Sequence, residues 1–374
     1  MVFVAMVIAT LGSTSLRAND NDYDADADDD WGMVFTLTND PAGNHLAMLE
    51  VNALGELSTP TYFATGGNGL NTGLGSQGAL ALSHDRQYLF ACNAGSNTIA
   101  VFRLAHGGPN FMYATKSGGS HPISLTVHKN VLYVLNAGGT FGGGIDSITG
   151  FKVGSNGSLT SLNNSANLSA TNVGPAQISF NAEGNVLTVS EKGTNSISLF
   201  PVNANSTPGT RVTVPSSGPT PFGFAYTNDD LLIVSEAAGG TPNASSVSSY
   251  WLHEFHLVLE PVSTSIKANQ TAACWIAITA NNKYAYAANT GSATITGFAI
   301  QPHGTLTLLE SNGTAATTDA TPADMAILGN QLLFVLDGSV GKLGAYHIGK
   351  DGSLSPTSVA TGLPLTHPAG LVVR

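Results

Sequence analysis

Three apolar phrases of the chain end in an acid: LTVSE at Glu191, LLIVSE at Glu236 and LLFVLD at Asp337. In four comparable phrases an amide holds the same place: Asn39 after MVFTLT, Asn93 after YLFAC, Asn136 after LYVL and Asn289 after YAYAA. A carboxylate at such a strand end can take a proton, activate water or hold a polar ligand. An Asn there serves equally as a cap, binding neighbouring backbone N–H groups. Acids are less needed for capping. Glu191, Glu236 and Asp337 are therefore candidate ligand contacts.

A second set precedes a different group of short apolar strands: His121, Ser124, Gln177, Phe222, Trp275, Asp324 and His367. The dipeptide His-Pro occurs at His121 and again at His367, in equivalent positions. A histidine there either acts as a general base or is a hydrogen-bonded structural residue, the simpler reading. Gln177 and Asp324 are polar ligand candidates. Trp275 either floors a sugar-like or aromatic ligand or plugs a channel, and the plug is the simpler of the two. The chain has no G-x-S-x-G elbow, H-E-x-x-H pair, Walker loop or Cys/His metal spacing, and no cofactor is expected. The runs GGNGLNTGLGSQG and GGTFGGG do not sit between a strand and a helix, so they are loops and not phosphate cradles.

The elements that must position these residues repeat. YLFACNAGSNTIAVF (88–102) returns as YAYAANTGSATITGF (284–298), and the seven strand-ending phrases recur every 43 to 55 residues or so. That period is the range of propeller blades. Each phrase is preceded by another apolar strand and a turn, as in ISFNAEGN, and followed by a third strand, as in SISLFPV. A fourth is hinted at by GSLTSL, GTLTLLE and GSLSPTSV. Four short strands per repeat make one blade. The pattern predicts an all-β, seven-bladed propeller with blade boundaries near 78, 123, 178, 224, 276 and 325. The closing HPAGLVVR matches the inner-strand phrase HPISLTV, so the C-terminal strand is expected to complete the first blade.

Composition agrees. Of 374 residues, 42% are hydrophobic, only 10% are charged and 43 are Gly, which favours short strands and tight turns over helices. A net charge of −11 argues against a nucleic-acid partner. The apolar run Val2–Leu11 is too short to span a bilayer and, with Ser13, Ser15 and Ala18 after it, fits a secretory signal peptide over 1–18. Seven of the 24 acids crowd into Asp20–Asp30. A calcium loop there would need Gly at Ala25 and Glu at Trp31, so 19–30 reads as a solvated acidic linker to a propeller over 31–374. Cys92 and Cys274 fall three blades apart, too far for a disulfide, and are expected to be free and buried.

At the strand-ending Asn phrases, the chain resembles the seven-bladed lactonase-like propellers with YVTN-type repeats, which include 6-phosphogluconolactonase and carboxymuconate cyclases. The resemblance runs over 31–374. It implies a functional stretch Gly-Pro-Arg-His before an inner strand and Asn-Glu at the end of the next. Here Gly174, Pro175 and Glu191 match, whereas Ala176 stands for the Arg, Gln177 for the His and Thr290 for a further Arg. Those basic residues would steady an anionic substrate or an oxyanion. Their replacement speaks against a sugar-phosphate lactone and leaves a neutral one open.

Two functions follow as expectations. One is a secreted binding, interaction or assembly propeller without turnover, taking an unidentified small molecule or an extracellular protein or glycan and able to self-assemble through its N-terminal segment. The other is a lactone hydrolase or cyclase-like enzyme with an altered pocket at the channel mouth, using Glu191.

Overall fold

The computed structural model describes residues 32–374; the expected signal peptide and acidic linker lie outside the described residues. Seven antiparallel sheets follow one another in chain order, one per blade. The C-terminal strand Ala369–Val373 is the innermost strand of the first blade and pairs antiparallel with Gly32–Leu37, with Val34 opposite Val373 and Thr36 opposite Leu371. Joining the two ends of the chain in one sheet closes the ring.

Innermost strands of the other six blades are Leu80–Leu82, Pro122–His128, Pro175–Phe180, Pro221–Tyr226, Ala273–Ile278 and Asp324–Leu328. The second strands, such as Tyr88–Asn93, Val186–Glu191, Leu231–Glu236 and Leu332–Asp337, are buried at every residue. Each lies between two strands of its own sheet and has a neighbouring blade against both faces, which is why these phrases read as unbroken apolar runs. Fourth strands form the rim and alternate towards solvent, as in Leu159–Asn167. In blade six the rim strand is split into Leu306–Leu308 and Ala316–Thr317, both paired with Thr294–Ile300.

Large aromatic side chains between the sheets fill the core: Phe35, Phe90, Tyr133, Tyr286 and Phe334 are fully buried. Tyrosines also tie blades two, three and six to the blade that follows. The Tyr88 hydroxyl donates to Ser155 O at 3.2 Å, Tyr133 to Ser206 O at 2.6 Å and Tyr286 to Gly352 O at 2.8 Å. Cys92 and Cys274 are free and buried, in blades two and six.

Candidate functional site at the channel mouth

Polar residues at the ends of the second strands point into the blades. All four lone-pair positions of Glu191, which is fully buried, are taken: Ser169 N at 3.2 Å and Ser198 Oγ at 2.7 Å on one oxygen, Thr194 Oγ1 at 3.0 Å and Ser169 Oγ on the other. Ser169 belongs to the chain arriving from blade three. The carboxylate therefore clasps an inter-blade connection to its own third strand.

Glu236 does the same in blade five with five donors. Its Oε1 accepts from Gly218 N at 2.7 Å, Ser248 Oγ at 2.6 Å and Ser216 Oγ at 3.3 Å. Its Oε2 accepts from Ser246 Oγ at 2.6 Å and Ser265 Oγ at 3.1 Å. Asn93 and Asn289 cap their blades in the same manner, bonding Thr65 and Thr98 or Thr294 and Thr296. Asp337 accepts only from Asp319 N, at 3.1 Å, and burial pushes its carboxyl up to about 6. Asn39 lies two residues beyond its strand, in a left-handed turn with φ 55°, and its Nδ2 donates to His367 O at 3.1 Å.

The axial channel is closed by the chain itself. Segment Gly75–Gly78, just before the short inner strand of blade two, crosses the axis and bonds to several blades. Gln77 N donates to Ala176 O at 3.0 Å, and Gly78 O accepts from Leu125 N at 2.7 Å. Ser76 Oγ donates to Ile123 O at 2.8 Å, and Ser76 O accepts the Trp275 indole N–H at 3.0 Å. Its physical role follows from the edges of the sheets. Innermost strands have no further strand to pair with, so their axial N–H and C=O groups need other partners. A glutamine amide, with one donor side and one acceptor side, replaces a peptide group there. Gln177 in blade four bonds both backbone groups of Phe224 in blade five, at 2.9 and 2.7 Å. Gly223, in the equivalent position of blade five, has no side chain to offer Ile276. Gln77 crosses from blade two and bonds both Ile276 groups, at 2.7 and 3.1 Å.

Beside this plug lies a cavity of about 210 Å³, lined by Gly73–Ser76, Trp275, Thr290, Thr321–Ala323, Gly338, Ser339 and His367–Ala369. Its walls come from blades six, seven and one. Trp275, 6% exposed, packs at a tilt against Phe222, 5.3 Å between ring centroids. It is thus both part of the plug's packing and a wall of the cavity. His367 is exposed at the rim. Asp324 is buried directly after the lining residues Pro322 and Ala323; its Oδ1 accepts Met325 N at 2.8 Å, while Oδ2 has no hydrogen-bond partner. Burial pushes this carboxyl up to about 8, so it is largely protonated at neutral pH.

Of the residues singled out from sequence, Trp275 and His367 both line this cavity, and Asp324 is buried directly after the lining residue Ala323. Gln177 is an inter-blade clasp on the axis. His121 is in blade three against Phe141, 5.3 Å between centroids, and burial lowers its pKa. Glu191, Glu236 and Asp337 lie within their blades. Sequence reasoning passed over Gln77, in the Gly-rich run, and Lys192, directly after Glu191. The phrase SEK is the only strand end followed at once by a cation, which was the signal for Lys192. Its ammonium donates to Gly75 O and, at 3.2 Å, to Pro175 O, and sits 4.5 Å from the Phe222 ring centroid. Ala176 is buried beneath the plug, its carbonyl accepting from Gln77 N, and the Thr290 hydroxyl donates to Pro322 O at 3.2 Å.

No curated protein matches the chain. Solved structures do. A protein of Lactobacillus plantarum superposes with a TM-score of 0.74 at 14% identity over 92% of this chain and 99% of its own. The periplasmic gluconolactonase of Pseudomonas aeruginosa gives 0.72 at 15% identity, over 92% and 99%. A protein of Bacteroides fragilis assigned as a 6-phosphogluconolactonase gives 0.73 at 18%, over 94% and 100%. At such identities the likeness speaks for a common fold. The family described as "Lactonase, 7-bladed beta-propeller" matches residues 42–141 and 145–241. With more than half of its length matched and seven blades closed by the C-terminal strand, the chain belongs to the lactonase seven-bladed β-propeller family.

Proposed function

We propose that this propeller is a binding module for a small uncharged molecule, a lactone-sized ring, held in the cavity between blades one, six and seven without turnover. The observation that carries this reading is the pairing of an apolar cavity walled by Trp275 with a Glu191 whose lone pairs are all occupied inside blade four. An aromatic wall and a few polar rim groups suit a neutral ring. A base already accepting four hydrogen bonds is poorly placed to take a proton from water.

Titration with δ-valerolactone and glucono-δ-lactone, followed by tryptophan fluorescence and calorimetry, tests it. Saturable binding that is lost in Trp275→Ala, with no acid release in a pH-stat, is the expected result. Absence of binding by a folded sample overturns it. Family membership favours a second reading, a lactone hydrolase acting on neutral lactones, for which no cationic clamp is needed. Acid release that disappears in Glu191→Gln would establish that reading instead. An extracytoplasmic location belongs to the proposal and rests on the apolar run Val2–Leu11; fractionation of expressing cells tests it.

A further inference from the structure

We propose that Lys192 is an acyl-accepting amine at the channel mouth, opening small neutral lactones to form a stable amide on its own side chain. This rests on the ligand class proposed above and adds a covalent outcome to it.

Three geometric facts support the site. Among the described residues, no carboxylate lies within 4.0 Å of the Lys192 nitrogen; the ion pairs found are His253–Glu260 and Lys342–Asp319. Its hydrogen-bond partners are two carbonyls, Gly75 O and Pro175 O. A neutral amine has two N–H groups, so both carbonyls stay satisfied when the third proton is lost. Finally, the nitrogen lies behind the cavity wall, bonded to the carbonyl of Gly75. Gly75 is a lining residue, and a Cβ placed on it would come 3.3 Å from Lys192 Nζ and meet nothing else within 4 Å. The aromatic pair beneath the nitrogen, Phe222 and Trp275, continues into the cavity wall.

The electrostatics agree. Burial among carbonyls and rings lowers the amine to about 8, only partly opposed by the Cys274 thiol and the Asp146 carboxylate, the ionisable groups that face it. Asp146 is itself tied to Thr140 and Val173 N, so it is not free to pair with the lysine. In the step proposed, the amine nitrogen attacks the lactone carbonyl and a C–N bond forms. The ring C–O bond breaks, and the proton leaving nitrogen goes to the departing alkoxide. The product is a hydroxyacyl amide carrying the whole mass of the lactone, and no co-reactant is needed.

The test is peptide mass spectrometry of the intact folded chain after incubation with δ-valerolactone or glucono-δ-lactone at pH 8.5, beside trace acetylation with acetic anhydride between pH 6 and 11. The expected result is a whole-lactone adduct on Lys192, formed about tenfold faster than on the seven other lysines. Acetylation of Lys192 should be half-maximal near pH 8. Lys192→Arg, which keeps the cation and its carbonyl bonds, should remain folded and carry no such adduct. Lactone binding without an adduct, or acetylation of Lys192 that tracks the exposed lysines, overturns the proposal and leaves the binding reading standing. Early acetylation without lactone binding retains a reactive amine but removes both the binding reading and the lactone as its partner.

Discussion

Gln77 of blade two holds both backbone groups of Ile276 in blade six, its Nε2 donating to the carbonyl at 2.7 Å and its Oε1 accepting from the N–H at 3.1 Å. This contact spans the axis of the propeller. It supplies what Gln177 supplies to Phe224 one blade earlier, at a place where blade five has only Gly223.

Removing the contact should destabilise the ring. Gln77→Ala leaves a buried N–H and C=O unpaired, which costs roughly 2–4 kcal/mol. Gly223→Ala should be at least as harmful, because its Cβ would fall 2.2 Å from Gln77 Oε1 and 2.6 Å from Cys274 O. Urea unfolding followed by tryptophan fluorescence reads both, and a variant as stable as the parent would show that the plug bears no load.

Glu236 should behave as a structural anion. Glu236→Ala orphans five donors and is expected to lower stability by about 3 kcal/mol or more. Glu236→Gln keeps the shape but turns one acceptor into a donor facing hydroxyls that can rotate, so a smaller loss is expected. Equilibrium unfolding in guanidinium separates the two variants.

The buried carboxyl of Asp324 makes stability depend on pH in an uncommon direction. Its folded pKa, about 8, lies above the ordinary aspartate value of 3.8, so the folded chain binds more protons than the unfolded chain between those limits. Its contribution is full below about 4 and is lost as pH rises towards 8. Asp337 adds the same sign up to about 6. Asp324→Asn, uncharged at every pH, should flatten the fall between pH 5 and 8. Melting temperatures of parent and variant across that range check it; parallel curves would refute it.

Turn glycines under the tyrosines should tolerate no side chain. Gly352 has φ +84°, and a Cβ there would meet the Tyr284 ring at 2.6 Å. Gly157 has the same relation to Tyr88, with φ +77° and 2.5 Å. Gly352→Ala is expected to cost about 2 kcal/mol or more, partly from the left-handed backbone and partly from the displaced ring. Thermal unfolding of Gly352→Ala beside a rim control such as Ser355→Ala measures it.

Blade number, the order of strands and closure by HPAGLVVR were legible in the chain, because each rests on local periodicity. Buried second strands have to be apolar throughout, turns have to carry Gly or Asn, and an unmatched inner strand at one end has to find its place at the other. The assembly of the site was not legible in that way. Glu191 and Glu236 look like channel acids in one dimension. Their true neighbours are serines and threonines of the next strand and of the preceding blade's exit, brought close only by the stacking of sheets. Gln77 and Ile276 are 199 residues apart, and nothing local in GSQG foretells a side chain that crosses the axis to complete another blade. Lys192 owes its lowered pKa to burial, which exists only once the segments carrying Gly75, Pro175 and Phe222 have come together. The repeating unit is written along the chain, since strand period and turn chemistry act over a few residues; which groups meet at the axis is set by the folded ring, since desolvation and hydrogen bonding there depend on its closure.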